Sequence, residues 1–129
     1  MKALLKILAV ILIIAVLVIG GVSIYITGGM KAVDQLVIGR IKDENLKDGI
    51  YIGKYDEGRF SNEVSVTVEN GRIIKIDAIK TVLFERPEVT GELFARVIEK
   101  QDTDVDMVSG ATITCKAYLK AVENAVAQK

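Results

Sequence analysis

The sequence predicts an α+β domain, a small antiparallel sheet covered by helices, preceded by one N-terminal transmembrane helix. Three observations carry that expectation. An uncharged run from Ile7 to Met30, almost wholly apolar as far as Ile26, opens the chain. Segments of period-2 alternation follow, separated by Asp-Gly and Asn-Gly turn signals. Two amphipathic helical segments then close the chain. Strands followed by helices, without strict alternation, put the helices over an antiparallel sheet. The expected division is residues 1–30 for the membrane segment, 31–45 for a tether and 46–129 for the folded domain.

The membrane segment comes first. About twenty helical residues at 1.5 Å each cover roughly 30 Å, the thickness of the hydrocarbon core. A cleaved signal peptide would have a shorter apolar stretch and a small-x-small cleavage site. Here the run is longer, and Ser23-Ile24-Tyr25-Ile26 is a poor site, although Gly28-Gly29 follows; the segment is read as an uncleaved anchor. Lys2, Lys6 and the start amine keep the short N-terminal tail in the cytoplasm, so the domain is expected outside the membrane. Lys31, just past the far end, is offset by nearby Asp34.

Lys31 to Asp48 is polar with scattered Val33, Leu36, Val37 and Ile41, which suits a helical stalk or tether. Asp48-Gly49 is a turn, Ile50 to Tyr55 a first strand, and Asp56-Glu57-Gly58-Arg59 a second turn. Val64, Val66 and Val68 alternate with polar neighbours ahead of Asn70-Gly71, and Arg72 to Ile79 forms the returning strand. A two-residue Asn-Gly loop would set Val66 opposite Lys75 and Val64 opposite Asp77. A three-residue loop, Glu69-Asn70-Gly71, instead pairs Val66 with Ile74 and Val64 with Ile76, so parity predicts a type I turn with a left-handed Gly71 bulge. Lys80 to Glu88 reads as a loop, with Arg86-Pro87 a solvated turn. Thr90 is placed as the cap of a helix reaching Lys100, with Leu93, Phe94, Val97 and Ile98 on one side. Gln101 to Val108 is a polar connection. The last helix is expected from Thr112 to Ala127, with Ile113, Ala117, Ala121, Val122 and Ala125 as its apolar stripe and Tyr118 and Leu119 flanking. Tyr51, Tyr55, Phe60, Phe84, Phe94 and Tyr118 are core-packing residues by default, one or two of them available to a planar ligand.

Composition excludes several chemistries. The chain has no histidine, which removes the usual general base, proton switch and commonest metal ligand together. Cys115 is the only cysteine, so there is neither a disulfide framework nor a thiolate metal cluster. The 17 Lys and Arg balance 17 Asp and Glu, and Lys2 and Lys6 lie ahead of the apolar run, so the domain itself is mildly acidic. Nucleic acid, which needs a basic face to displace counterions, is not an expected partner. No side chain is assigned a catalytic role and no metal site is expected; any chemistry would come from carboxylates, hydroxyls or a bound cofactor, the cofactor foremost.

The sharpest motif lies where the last loop meets the last helix: Asp106-Met107-Val108-Ser109-Gly110-Ala111-Thr112-Ile113-Thr114. Small residues leave backbone N–H groups accessible at a helix N-terminus, where the dipole favours negative charge. Ser109, Thr112 and Thr114 add hydroxyls. Such a stretch is a phosphate site, a hydroxyl awaiting a phosphoryl group, or ordinary capping.

Asp106-x-x-Ser109-Gly110-Ala111-Thr112 resembles the flavinylation signature of the FMN-binding domain family, which includes the covalent-flavin subunits of sodium-pumping NADH:quinone reductases and of Rnf-type electron-transport complexes. Asp48 to Gly53 and Val64 to Ile73 resemble the family's opening strands, and Gln101 to Val126 its closing part. The likeness spans about residues 46 to 127. It implies that a Mg²⁺-dependent flavin transferase moves FMN from FAD onto Thr112 as a phosphoester, releasing AMP. Asp106, Ser109, Gly110 and Ala111 would help that enzyme recognise the site, and Thr114 stands beside it. It further implies electron exchange with membrane redox partners outside the cell. Two features depart from the family: Cys115 stands where serine is frequent, and the long segments of the complex subunits between hairpin and signature are missing. Cys115 is read as a small apolar filler, the alternative being an activated thiol near the phosphate. Two further functional readings stand beside the covalent carrier: a domain that binds FMN reversibly for a separate reductase, and a flavin-free membrane-anchored binding module.

Overall fold

The computed structural model of the chain describes residues 1–41 and 46–127. The expected fold class holds: an antiparallel three-stranded sheet packed with helices follows one long apolar helix. That helix, α1 (Lys2–Thr27), has no buried residue and is long and apolar enough to cross a membrane. A short helix, α2 (Met30–Asp34), follows after Gly28-Gly29. The sheet is a meander of β1 (Gly49–Tyr55), β2 (Asn62–Glu69) and β3 (Arg72–Lys80), with β2 in the centre. Two helices complete the fold, α3 (Pro87–Lys100) and α4 (Thr112–Ala127).

The inward face of β2 presents Val64, Val66 and Val68, all essentially solvent-free, while Glu63, Ser65 and Thr67 between them are half-buried. This is the alternation read from the sequence. The valines meet Leu93, Phe94 and Val97 of α3 and Tyr118, Leu119 and Val122 of α4 in one core. Phe94 and Tyr118 pack edge to face, with centroids 5.6 Å apart at 87°. Helix α4 lies across β1 and β2 so closely that a Cβ added to Gly53 would stand 1.9 Å from the carbonyl oxygen of Ala121.

The hairpin register differs from the expected one. Glu69 pairs with Arg72 and Val68 with Ile73, so the loop has two residues, Asn70 and Gly71, both at positive φ (55° and 75°). Those are the signs a type I′ turn demands, and its twist matches that of the strands. Parity is restored inside β3, where Ile74 is an extra residue, so that Val66 faces Ile76 and Val64 faces Ala78. The bulge leaves Ile74 about half exposed and returns Ile73 and Ile76 to the core. The odd residue inferred from the pattern exists, but in the strand, not the turn.

The start of α3 is also corrected. Arg86 is its N-cap and Pro87 its first residue, where a missing N–H costs nothing and the fixed φ suits the helix. Thr90 is therefore not the cap but a buried residue of the first turn, its hydroxyl donating to Arg86 O at 3.4 Å. Arg86-Pro87 is a helix start, not a solvated turn. At the other end Gln101 takes a left-handed C-cap conformation, φ 58°, and turns its amide onto the edge of β3. Ile73 N–H donates to Gln101 Oε1 at 2.7 Å and Gln101 Nε2 donates to Ile73 O at 2.8 Å, so a side chain pairs with the exposed edge as a further strand would.

Residues 30–41 lie along the domain. Val33 is fully buried against Phe60 and Ala117. Gly39 N–H donates to Glu123 Oε2 (3.0 Å), Thr103 Oγ1 donates to Gly39 O (2.6 Å), and Ile41 N–H donates to Asp102 Oδ1 (3.0 Å). Arg40 pairs with Asp104, and that hydrogen bond holds the Asp104 carboxyl below its ordinary range. Residues 42–45 of the expected tether lie outside the described residues.

Candidate functional site

Helix α4 begins at Thr112, as its pattern predicts. Its first turns are fixed from two sides. Cys115 sits in the main core with no exposure, while Ile113 and Ala117 pack against Val33 and Phe60. Lys116 Nζ donates to Asp34 O at 2.7 Å, tying α2 to the same turn. The exposed side chain at the helix start is that of Thr112; Thr114 is half-buried.

The preceding loop is pinned at intervals. Thr103 is buried, Val105 N–H donates to Thr103 O (3.0 Å), and Arg96 Nη1 donates to Asp106 O (2.9 Å). Met107, Val108 and Ala111 rest half-buried on the core. Between them Ser109 and Gly110 project into solvent in a tight turn, closed by Ala111 N–H donating to Val108 O at 3.1 Å. Gly110 has φ +79°, a left-handed value that a side chain would strain. Asp106, Ser109, Gly110 and Thr112 are all exposed.

Among the described residues, no side chain caps the helix start. Cys115 N–H donates to Ala111 O (2.9 Å), which makes Ala111 the capping position, and alanine has no oxygen to offer. The amides of Thr112, Ile113 and Thr114 precede the first intrahelical bond and, among the described residues, meet no side-chain acceptor. Three orphan donors, a dipole end and the hydroxyls of Ser109 and Thr112 on one small-residue turn suit the oxygens of a phosphate ester. Beside the loop lies an open groove of about 780 Å³. It is lined by Arg96, Glu99 and Lys100 of α3 and by Val105, Asp106, Met107 and Ser109. Arg96 is held there by Glu92 as well as by Asp106 O.

A family model for the FMN-binding domain matches residues 61–127, from the start of β2 to the end of α4. The chain belongs to the FMN-binding domain family. The matched residues include the whole Asp106–Thr114 stretch, and FMN follows as the expected cofactor. A search of curated proteins finds no match to the chain.

The Ser109-Gly110 turn contains no metal-ligating cluster, nor does any other part of the described residues. Cys115 is fully buried in the main core, as a small apolar filler is. Burial pushes its pKa up, with a backbone hydrogen bond at Val108 and the charge of Arg96 only partly opposing, which disfavours an activated thiol. Sequence reasoning missed Arg96 and Lys100. They are ordinary residues on the polar side of α3, and only the packing of α3 beside the last loop brings them to the motif.

Proposed function

We propose that this chain is a membrane-anchored, extracytoplasmic FMN carrier, with the flavin phosphate esterified to Thr112 Oγ1. The observation that carries the reading is the exposed Thr112 at the start of a helix, within the stretch matched by the FMN-binding family. Thr112 would lose its hydroxyl proton and gain the ester bond, with a separate Mg²⁺-dependent flavin transferase cleaving FAD and releasing AMP. The amides of Ile113 and Thr114 and the Ser109 hydroxyl would then hold the phosphate oxygens. Gly110 and Ala111 keep the approach open to the transferase, and the exposed Asp106 is a recognition contact for it. Bound FMN supplies the electron-transfer chemistry; the chain contributes position, electrostatics and a tether to the membrane. A covalent bond suits an exported carrier, because a flavin lost outside the cell is not easily replaced.

Helix α1 supports the anchor, and Lys2 and Lys6, at the start of its apolar run, support a cytoplasmic N-terminus; the partners would be membrane redox proteins. A reversible FMN site is the second reading, and the groove beside the loop favours it, although Arg96 and Lys100 there would have to turn from Glu92 and Asp104 to a free phosphate past Glu99 and Asp106. Denaturing intact-mass measurement separates the two. Co-expression with a flavin transferase should add roughly 438 Da, the mass of FMN less water, to the parent chain and nothing to Thr112→Val. Yellow colour lost on dialysis, with no added mass, refutes the ester and supports the reversible site. A colourless protein refutes both.

A further inference from the structure

The outer end of α1 meets the domain at the turn Gly58–Phe60. Gly29 (φ +86°) sits against Glu57, where an added Cβ would lie 2.9 Å from Glu57 Cγ, and one added to Gly58 would lie 3.2 Å from Gly28 O. The turn Gly58–Phe60 in turn holds the loop after β3, because Leu83 N–H donates to Arg59 O at 2.9 Å. Tyr25, Arg59, Lys80, Leu83 and Phe84 consequently share the lining of one open groove of about 580 Å³. Phe84 is 66% and Leu83 45% exposed. Phe84 also has φ 62°, a left-handed value that a bulky residue keeps only when its surroundings impose it. An apolar pair is thus presented outward by a constrained loop, beside the last aromatic of the apolar helix.

The place of the groove identifies its occupant. If Ile7 to Ile26 crosses the hydrocarbon, roughly 30 Å at 1.5 Å per residue, Tyr25 lies at the boundary where interfacial aromatics collect. Leu83 and Phe84 share that groove and so that level. Arg59 and Lys80 line it too, the Arg59 guanidinium lying 4.4 Å over the Phe60 ring with its buried Nε making no hydrogen bond among the described residues. Glu85 is the opposing charge on the groove. We propose that the Leu83-Phe84 loop is a second membrane contact, its two side chains seated at the headgroup–acyl boundary of the outer leaflet and Arg59 and Lys80 on lipid phosphates. The inference rests on reading α1 as an uncleaved anchor. It has a consequence for the cofactor site. Val82 N–H donates to Tyr118 OH at 3.2 Å, so the loop is bonded to α4, the helix that opens with Thr112. Seating the loop fixes the domain at two points and with it the height of Thr112 above the bilayer.

The chain contains no tryptophan, so a single introduced one reports its own depth. Full-length Phe84→Trp, Leu83→Trp, Ile14→Trp and Ile50→Trp would be reconstituted in vesicles of roughly three parts phosphatidylcholine to one of phosphatidylglycerol, with acyl chains brominated near the headgroup. Ile14 marks mid-span; Ile50, exposed, marks the end of β1 remote from the Glu57 turn. The expected result is a drop of about two-fold or more in Phe84→Trp and Leu83→Trp emission on bromination, with protection from acrylamide, and no change for Ile50→Trp. If both loop variants behave like Ile50→Trp while acyl chains brominated at depth quench Ile14→Trp, the loop contact is refuted and the anchor stands. If Ile14→Trp is also insensitive, the anchor reading fails and the loop contact with it.

Discussion

The close approach of β1 to α4 makes Gly53→Ala the most demanding test of the packing. The added Cβ would stand 1.9 Å from Ala121 O, 2.6 Å from Ala125 N and 2.7 Å from Ala125 Cβ. Carbon–oxygen contacts begin at about 3.3 Å, so strand and helix must part by roughly 1.4 Å. The nearest atoms are helix backbone, which cannot swing aside as a side-chain tip would. Overpacking of this kind costs about 1–3 kcal/mol and here belongs at the upper end. Replacing glycine in a strand gains back about 0.5–1 kcal/mol, which leaves a net loss of about 2 kcal/mol or more. At about 4–8 °C per kcal/mol for a domain of this size, the Tm should fall by roughly 10–15 °C. Gly91→Ala is the counterpart: Gly91 is exposed within α3, a Cβ there meets nothing within 4 Å, and about 0.5–1 kcal/mol of stabilisation is expected. Thermal unfolding of the full chain in detergent, followed by near-ultraviolet circular dichroism of the domain tyrosines, reads both. A Gly53→Ala protein that melts with the parent would refute the packing of α4 on β1.

Three further outcomes are expected. Gln101→Ala strips the partners from Ile73 N–H and C=O at the edge of β3 and should cost about 1–2 kcal/mol in urea unfolding, whereas a shortened but amide-bearing Gln101→Asn recovers little because it cannot reach. Burial raises the pKa of Cys115 and of Tyr118 above their ordinary values of about 9 and 10. Above pH 9 the unfolded chain therefore holds fewer protons than the folded one, and these two groups should make stability fall as pH rises. Melting curves between about pH 8 and 11 should show a shallower fall in Cys115→Ala and Tyr118→Phe, and native Cys115 should resist iodoacetamide until the domain unfolds. Thr112→Ser keeps a hydroxyl at the helix start, primary in place of threonine's secondary one, and should still gain the flavin mass beside a transferase; loss of modification equal to that of Thr112→Val would mean the methyl group, not the hydroxyl alone, defines the acceptor.

Local patterns reached far in this protein. The uncharged apolar run from Ile7, the valine alternation of β2 and the stripe of α4 are each set by neighbours within a few residues, so the α+β class and the bounds of the last helix were legible before any tertiary contact was known. The Asp106–Thr114 motif was legible for the same reason: small residues and hydroxyls ahead of a helix are a contiguous signal. Parity in the hairpin was legible only as a sum. An extra residue had to exist somewhere between Val68 and Ile76, but whether the turn or the strand absorbs it depends on how the paired strands twist, and Asn70-Gly71 matched that twist without it. Pro87 looked like a loop residue because the first turn of a helix is the one helical place where proline is at ease.

What the sequence alone determined was the order of elements, the apolar helix and the motif with its candidate hydroxyl. The tertiary structure decided which distant groups stand beside them: Arg96 and Lys100 near the last loop, Gln101 on the edge of β3, Gly53 beneath α4, and Leu83 and Phe84 beside Tyr25. The reason is geometric. A residue's own neighbours set its backbone, but an approach between segments tens of residues apart depends on how whole helices and strands pack, and no local pattern encodes that distance.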